Sequence, residues 1–253
     1  MAIISEKRRN EVLAAITADG GIKVSELARR FAVSMETIRN DMKFWEKEGV
    51  LKKTHGGAIL KSDVAALRHI NERIVENIDV KNAIAARAIE LIPERGTIFL
   101  DAGSTTVCMA KYLNLMSGLT ILTNSILAAS KLSESGNCVM VIGGILRGDI
   151  LGTHGAWAAM ALRTILIDVA FLDCSGVKGF DGPVGNHLSD IEFKRAVIAR
   201  ANKKIVLADS RKLQTSGIMS YCDWREIDAM VTNPVEDPNA FDGIKAHTRV
   251  IFA

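Results

Sequence analysis

Two amphipathic helices are predicted from the spacing of apolar residues near the start of the chain. The first spans residues 25–32 and the second residues 35–48, and Ser25 and Ser34 stand where a hydroxyl commonly caps a helix N-terminus. The apolar positions that share a helical face are Leu27, Ala28 and Phe31 in the first helix and Ile38, Met42 and Trp45 in the second. The pattern predicts two helices packed through these stripes, with a short turn between them.

A short hairpin follows the second helix. Residues 50–60 form two brief apolar and basic runs around Gly56 and Gly57, which together with the helices predicts a winged helix-turn-helix. Once the apolar stripe of the second helix is buried, its arginine and asparagine side chains face outward, where they can pair with base edges, and lysines can contact phosphates. The candidate DNA-contacting residues are Ser34, Met35, Glu36, Thr37, Arg39, Asn40, Lys43, Lys52, Lys53 and His55.

From residue 79 the pattern changes to an alternation of helix and strand. A helix is predicted over Val80–Ile92, and seven short, continuously apolar runs follow it. The runs are Thr97–Leu100, Leu119–Thr123, Cys138–Ile142, Val169–Asp173, Lys204–Asp209, Ala229–Thr232 and Arg249–Phe252. Continuous apolar strands are typical of a parallel sheet buried on both faces. The sequence therefore predicts an α/β fold, in which a mostly parallel, Rossmann-like sheet is preceded by the small winged helix-turn-helix domain.

The same change of pattern predicts the domain boundaries. We expect a DNA-binding domain over residues 1–60, a polar, helical connector over 61–78 and an α/β domain over 79–253. The most apolar stretch, Ala156–Leu172, is interrupted by charged residues and too short to cross a bilayer, so we expect it to form a buried helix and strand. The N-terminus lacks the pattern of a secretory signal, and we expect a cytoplasmic protein.

Composition and charge narrow the choice of partners. The 253 residues are 48% hydrophobic and 24% charged, as in an ordinary globular protein. Residues 1–60 contain 11 Lys and Arg against 8 Asp and Glu, which leaves 21 of each kind in residues 61–253. The formal charge of +3 therefore lies wholly in the first segment, where it favours an anionic partner. The four cysteines are scattered without metal-ligand spacing, and we expect neither a metal nor another cofactor.

The loops that follow the predicted strands are rich in glycine and polar residues. The loop 101–106 opens a helix with hydroxyls and free N–H groups, which together suit a phosphate. Because the carboxyl ends of parallel strands lie at one edge of a sheet, we expect such loops to converge on one effector crevice. The candidate effector-binding residues are Asp101, Gly103, Ser104, Thr105, Thr106, Thr123, Asn124, Ser125, Gly143, Gly144, Arg147, Asp173, Lys194, Asp209 and Lys212. Lys194 could equally be a solvated or ion-paired lysine on its helix.

Both parts of the chain resemble one family of regulators. The run Leu-Ala-x-x-Phe-x-Val-Ser-x-x-Thr-Ile-Arg at 27–39 and the His-Gly-Gly-Ala at 55–58 resemble the N-terminal signature of the DeoR family of bacterial transcription repressors. Asp-x-Gly-Ser-Thr-Thr at 101–106, Glu-Phe-Lys-Arg at 192–195 and Leu-Ala-Asp-Ser-x-Lys at 207–212 resemble its sensor domain. The resemblance covers nearly the whole chain.

The resemblance implies a fold, an activity and a class of effector. The sensor domain of the family is similar in fold to ribose-5-phosphate isomerase, and its members respond to phosphorylated sugars or polyols. We therefore expect a repressor of a carbohydrate-utilisation operon that is relieved by such a ligand. The family pattern is not followed at Asn40, Phe44, Trp45 and Arg211, so the operator sequence and the rim of the pocket cannot be carried over. A single winged helix makes few base contacts, so we expect a homodimer or homotetramer that binds operator DNA at two half-sites.

Two other classes of function compete with this interpretation. A sugar-phosphate isomerase with a DNA-binding head would need a general base beside the substrate carbon. In the isomerase relatives acidic residues cluster after the strand that corresponds here to Val169–Asp173, whereas Cys174–Val177 follow it in this chain and leave Asp173 alone. An architectural DNA-binding protein would not need a polar crevice. Both comparisons favour a sensor.

Overall fold

The computed structural model of the chain describes residues 8, 9, 11–13, 15, 16, 22–47, 51–54, 57–60 and 70–253. The chain divides into two compact units, of which the first ends at residue 68 and the second runs from 69 to 253. Of the predicted connector, residues 61–69 lie outside the described residues, and so does His55.

Within its described residues the first unit has helical residues at 8, 9, 11–13, 15 and 16, two further helices and three short strands. The helices are α1 (Val24–Arg30) and α2 (Met35–Lys47), and the strands are β1 (Ile22–Lys23), β2 (Leu51–Thr54) and β3 (Gly57–Leu60). The strands form an antiparallel sheet in the order β1-β3-β2, so the predicted hairpin is confirmed and β1 is an addition to it. The buried apolar residues include Val12, Ile16, Leu27, Ile38 and Met42, which confirms the predicted stripes.

The N-termini of α1 and α2 differ. The Ser34 hydroxyl accepts a hydrogen bond from the backbone N–H of Thr37 at 3.1 Å, so the predicted cap of α2 is confirmed. The prediction that Ser25 caps the first helix is wrong, because α1 already begins at Val24 and has no side-chain cap. Strand β1 pairs through Lys23 with Gly57 and continues directly into α1, which leaves no room for a separate capping residue.

The second unit is built on one seven-stranded parallel sheet, and all seven predicted strands belong to it. Its strands are β4 (Gly96–Leu100), β5 (Leu119–Thr123), β6 (Cys138–Val141), β9 (Ile167–Leu172), β11 (Ala201–Leu207), β13 (Ala229–Thr232) and β14 (Arg249–Phe252). Four very short strands, which the sequence did not predict, form two separate antiparallel pairs. They are β7 (Ile145–Arg147), β8 (Gly152–His154), β10 (Val184–Gly185) and β12 (Met219–Ser220).

Helices cover both faces of this sheet. They are α3 (Ile70–Val75), α4 (Ile78–Ile89), α5 (Ser104–Val107), α6 (Ala110–Leu113), α7 (Ile126–Leu132), α8 (Ala156–Ala161), α9 (Leu188–Ile198) and α10 (Asp242–Lys245). Alternate residues of each strand enter one of two apolar clusters, as in Phe99, Ala170 and Val206 on one face and Ile98, Val169 and Ile205 on the other. The predicted α/β class with a doubly covered sheet is confirmed.

The apolar stretch Ala156–Leu172 differs from its prediction. Its strand is buried, but α8 is not, since Trp157 is 81% and Met160 57% exposed. Only one side of this short helix, at Ala158, packs on the core. Among the residues that the structure describes, no helix has the length and apolar character needed to cross a bilayer.

The direction of the winding reverses beside β4. The sheet order is β14-β13-β11-β9-β4-β5-β6, so the chain first builds β5 and β6 on one side and then crosses to β9 on the other. Asp101 follows β4 and Asp173 follows β9, at the carboxyl ends of adjacent strands. This is the switch point at which ligands bind in open α/β sheets.

Candidate functional site

The first candidate site is the solvent-facing side of α2. Ile38, Asp41 and Met42 are buried, and the opposite side of the helix is open to solvent. The exposed candidates here are Ser34, Met35, Glu36, Arg39, Asn40 and Lys43, and Thr37 is half-buried. The predicted DNA-contacting residues of α2 therefore lie on one accessible face. Lys52 and Lys53 belong to strand β2.

Two charged contacts on α2 were not predicted. Arg39 lies 3.5 Å from the carboxylate of Glu36, and both side chains are exposed, so water and DNA can replace this contact. Asp41, which is buried, accepts hydrogen bonds from Arg8 at 2.7 Å and from Arg9 at 3.4 Å. These pairs fix α2 to the preceding segment, and a single aspartate among helical surface charges gives no signal of that role.

The second candidate site is a buried charged cluster at the switch point. The ammonium of Lys194, on α9, donates to Asp101 Oδ2 and, at 2.7 Å, to Asp173 Oδ1. Asp101 also accepts from the backbone N–H groups of Ala102 at 2.8 Å and Asp173 at 3.0 Å. Lys194 is therefore an internal ion-paired residue, which decides between the two readings that the sequence left open. The hydroxyl of Tyr221 donates to the Asp173 carbonyl at 2.9 Å and closes the cluster.

Burial and neighbouring charges shift the pKa values of the residues in this cluster in different directions. Burial raises the pKa of Asp101 to about 6, against the opposing effect of Lys194. Burial alone would also raise the pKa of Asp173, but the cations Lys194 and Arg73 outweigh it and hold that pKa below its usual range. Burial opposes the charge of Lys194, and the two carboxylates still keep its pKa well above the ordinary value. Asp173 and Lys194 are therefore held in their charged forms.

The loop after β4 contains polar groups of two kinds, those that hold the loop in shape and those that are available to a ligand. A Cβ atom on Gly103 would lie 2.3 Å from the Asp173 Cβ, so the close approach of these two strand ends requires glycine. The Thr106 hydroxyl accepts from the Gly103 N–H at 3.0 Å and donates to the Asp101 carbonyl at 2.7 Å. The hydroxyls of Ser104 and Thr105 make no hydrogen bond with the described part of the chain. These two remain for a ligand, whereas Thr106 shapes the loop.

The loop after β5 is fully buried. The Thr123 hydroxyl donates to the Leu100 carbonyl at 2.7 Å, and the Ser125 hydroxyl caps α7 by accepting from Ala128 at 3.1 Å. The Asn124 side chain donates to the Thr153 carbonyl at 3.1 Å, but its Oδ1 atom has no partner within the described residues. Thr123 and Ser125 therefore hold the loop, and Asn124 keeps one open acceptor.

The hairpin β7–β8 brings in a residue that the sequence did not indicate. Gly144 has φ +153°, and a Cβ atom there would lie 2.5 Å from the His154 carbonyl oxygen. Neither ring nitrogen of His154 has a partner in the described residues, and burial, followed by the nearby charge of Arg147, lowers its pKa. Arg147 itself is ion-paired with Asp149 through a hydrogen bond of 3.1 Å. At Gly143 a Cβ atom would meet no atom within 4 Å, so no close approach there requires glycine.

The loop after β11 carries two cations, Arg211, which is ion-paired with Asp209 and Glu76, and the half-buried Lys212. Asp209 binds the Arg211 side chain at 2.9 Å and its backbone N–H at 3.1 Å, so this carboxylate mainly orders its own turn. The Lys212 ammonium donates to the Ser175 carbonyl at 3.2 Å and lies close enough to lower the pKa of Asp173. The structure thus brings Asp101, Gly103, Asp173, Lys194 and Lys212 together.

A further cation was not among the candidates. Arg73 on α3 lies with Nη2 3.4 Å from Asp173 Oδ2. No sequence pattern indicates Arg73, because its helix precedes the alternating strands and loops that indicate the other residues. A cavity of about 660 Å³ lies at the opposite, amino-terminal edge of the sheet and is lined by Ile92, Asp168 and Arg249 among others. None of the predicted effector residues lines it.

Comparisons with known proteins cover both units. The family described as DeoR-like helix-turn-helix domain matches residues 8–64, and the DeoR C terminal sensor domain matches residues 76–234. The HTH-type transcriptional regulator GolR of Listeria innocua serovar 6a is 33% identical over 228 residues, which are 90% of each chain. The HTH-type transcriptional repressor GlcR of Bacillus subtilis is 28% identical over 229 residues, 90% of this chain and 88% of its own.

Solved structures overlap only in part. A D-ribose-5-phosphate isomerase in complex with phospho-erythronic acid covers 52% of this chain and 52% of its own, with a TM-score of 0.39 and 21% sequence identity. An overlap of this size carries no argument about activity.

Proposed function

The chain belongs to the DeoR family of transcriptional regulators, and we propose that it represses a carbohydrate-utilisation operon until a phosphorylated sugar or polyol binds its sensor domain. Family membership establishes a DNA-binding regulator. Repression, rather than activation, is favoured because the relative GlcR, which aligns over most of both chains, is named a transcriptional repressor. We propose a cytoplasmic location, because that is where a bacterial operator lies.

Operator binding is assigned to the exposed face of α2. Arg39 and Asn40 carry the head groups that read base edges, and Lys43 can neutralise a phosphate. We propose that residues 1–60 form the DNA-binding domain, 61–78 the connector and 79–253 the effector domain. Because one such helix reads only a few base pairs, the proposal includes a homodimer or homotetramer on two half-sites.

One observation carries the choice of effector: at the switch point both carboxylates are already bound to a cation, and hydrogen-bond donors are open. Both carboxylates, Asp101 and Asp173, are already bound to Lys194. The hydroxyls of Ser104 and Thr105 are uncommitted, and the Lys212 ammonium makes one hydrogen bond with the described residues. Such a site suits a ligand rich in acceptors, and a phosphate group presents several acceptor oxygens and negative charge.

The competing enzyme does not fit this geometry. A general base works best when its pKa lies near the operating pH and its carboxylate can reach the substrate. The pKa of Asp101 is raised to about 6, but this side chain is buried, and both its oxygens accept hydrogen bonds from Lys194 and from backbone N–H groups. Lys194 and Arg73 hold the pKa of Asp173 below its usual range, so this carboxylate stays ionised. Its two oxygens are engaged by the same two cations. Relatives such as GolR and GlcR are named as a regulator and a repressor rather than as enzymes.

A thermal-shift panel tests the proposal. Phosphorylated sugars and polyols are compared with their unphosphorylated parents, and aldose–ketose conversion is assayed in the same samples. A ligand at 100 times its Kd stabilises the folded state by about 2.7 kcal/mol, which raises Tm by several degrees. We expect such a shift with one phosphorylated compound and no turnover. An equal shift with its unphosphorylated parent, or catalytic conversion, would contradict the proposal.

A further inference from the structure

Helix α3 places a cation, Arg73, at the candidate effector site, although this helix belongs to neither of the two segments that match the family. Arg73 lies between residues 64 and 76, the facing ends of the two matched segments. We infer that Arg73 is part of the effector site and that its guanidinium binds the anionic group of the ligand. The inference rests on the proposed function, because it assumes that this site takes a phosphorylated compound.

The position of Arg73 is fixed by the anchoring of α3. At the start of the helix, Ile70 is fully buried and its backbone N–H donates to the Asp149 carbonyl at 2.7 Å. At its end, the buried Lys81 ammonium donates to the carbonyls of Arg73 and Glu76. Arg211 adds an ion pair to Glu76 at 2.7 Å. A guanidinium on an anchored helix loses less freedom on binding than one on a loose segment.

Most of the hydrogen-bonding capacity of Arg73 is open. A guanidinium has five N–H donors, and within the described residues Arg73 makes one long bond, to Asp173. Asp173 is also bound to Lys194 at 2.7 Å, so it keeps a cation when Arg73 turns to a ligand. When Arg73 exchanges Asp173 for a ligand, no buried charge is therefore left without a partner. The forked arrangement of N–H donors on the guanidinium also matches the geometry of a phosphate.

Arg73 and the loop after β4 flank the same carboxylate. Arg73 contacts Asp173 Oδ2, and Gly103 packs against the Asp173 Cβ, directly before the open hydroxyls of Ser104 and Thr105. A phosphate bound here can accept from both sides.

Chemical modification tests the inference on the wild-type protein. Phenylglyoxal modifies exposed guanidinium groups, and the rate at each arginine can be followed by peptide mass spectrometry. The probe ligands are inorganic phosphate and the compound with the largest shift in the panel. We expect saturating ligand to slow modification of Arg73 at least about fivefold, and to leave Arg249, in the cavity at the other edge, unchanged. An unchanged rate at Arg73 while Tm rises overturns the inference and leaves the proposed function standing.

A variant supplies the second measurement. Arg73→Gln leaves a shorter, neutral side chain that can still hydrogen-bond, and so removes the charge, and Arg249→Gln is the matched control. We expect Arg73→Gln to lose about tenfold or more in affinity for the phosphorylated ligand, as the loss of a charge-assisted hydrogen bond predicts, with operator binding retained in its absence. Wild-type affinity in Arg73→Gln overturns the inference. If neither phosphate nor any phosphorylated compound binds the wild type, the inference and the proposed function both fall.

Discussion

Among single residues, Lys194 has the largest effect that the structure allows us to predict. Its ammonium is the shared partner of Asp101 and Asp173, all three at the meeting point of β4, β9 and α9. Removing one partner of a buried ion pair costs more than the pair contributes, because the remaining charges stay buried. The cluster therefore fixes how these three elements meet at the candidate effector site, and disrupting it costs a large free energy.

Lys194→Met should lower the free energy of unfolding by about 3–5 kcal/mol, because two carboxylates are left near each other without their cation. Lys204→Met is the control, since Lys204 pairs with Asp228 at 3.7 Å on the surface, where a pair contributes about 0–1 kcal/mol. Urea unfolding of both variants measures the difference. A loss below about 1 kcal/mol in Lys194→Met would contradict the reading of a buried, ionised cluster.

The hydroxyls of the loop after β4 should divide into two classes. Replacing Ser104 and Thr105 together by alanine removes no hydrogen bond recorded in the described structure, so folding should be spared while stabilisation by the phosphorylated ligand disappears. Thr106→Ala should instead lower stability by about 1–3 kcal/mol, because it leaves the Gly103 N–H without its acceptor. Thermal unfolding with and without ligand separates these outcomes. Full ligand stabilisation in the double variant would place the phosphate elsewhere.

His154 predicts a pH dependence of stability. Burial lowers its pKa below the ordinary value of about 6.5, so the unfolded chain takes up the proton first as pH falls. The contribution of this residue is therefore complete above about pH 6.5 and is lost as pH falls toward its depressed folded-state pKa. His154→Gln should flatten that part of the stability profile, and exposed His247→Gln should not. Identical slopes in wild type and His154→Gln would show that the imidazole is not shielded from water.

Among elements, helix α2 has the clearest division between a buried and an exposed side. Arg39→Ala should weaken binding to the cognate operator by about 1–3 kcal/mol if Arg39 reads a base, and binding to random DNA much less. Arg29→Ala, on the exposed side of α1, is the matched control. Affinities for operator and random DNA are measured at one salt concentration. Equal losses on both DNAs would make Arg39 a phosphate contact.

The elements differ in how far the sequence predicted them. All seven strands of the sheet were predicted, because each is a continuous apolar run, whereas β10 and β12 have two residues each and no period to detect. Hydropathy predicts a buried α8 because it counts apolar residues without regard to the side of the helix on which they lie, whereas Trp157 is 81% exposed. In the site, the loops at strand ends were found from their position in the pattern. Arg73 was not, because its contact with Asp173 joins segments 100 residues apart in the chain. His154 was not, because it lies in a strand of three residues, which is too short for a detectable period.

In the whole molecule, effector-controlled repression requires that binding of the effector change the affinity for operator DNA. An effector shifts an equilibrium only if it binds one state better than the other, and the coupling is then reciprocal. A phosphorylated sugar that releases the operator must bind more weakly when the operator is bound, by the same factor. The Lys212→Ala variant should still bind the operator but should no longer release it when the effector is added. Lys212 lies on a loop separate from the one after β4, so we expect it to bind the phosphate from the other side of the site.

Operator affinity, measured at fixed salt with and without the phosphorylated compound that raises Tm, tests effector-controlled repression. We predict a loss of affinity of about 5–150-fold, corresponding to a coupling of about 1–3 kcal/mol, and an equal loss in effector affinity when operator is bound. The unphosphorylated parent should have no effect. Operator affinity unchanged by every compound that binds the sensor unit would contradict a repressor controlled by a phosphorylated effector.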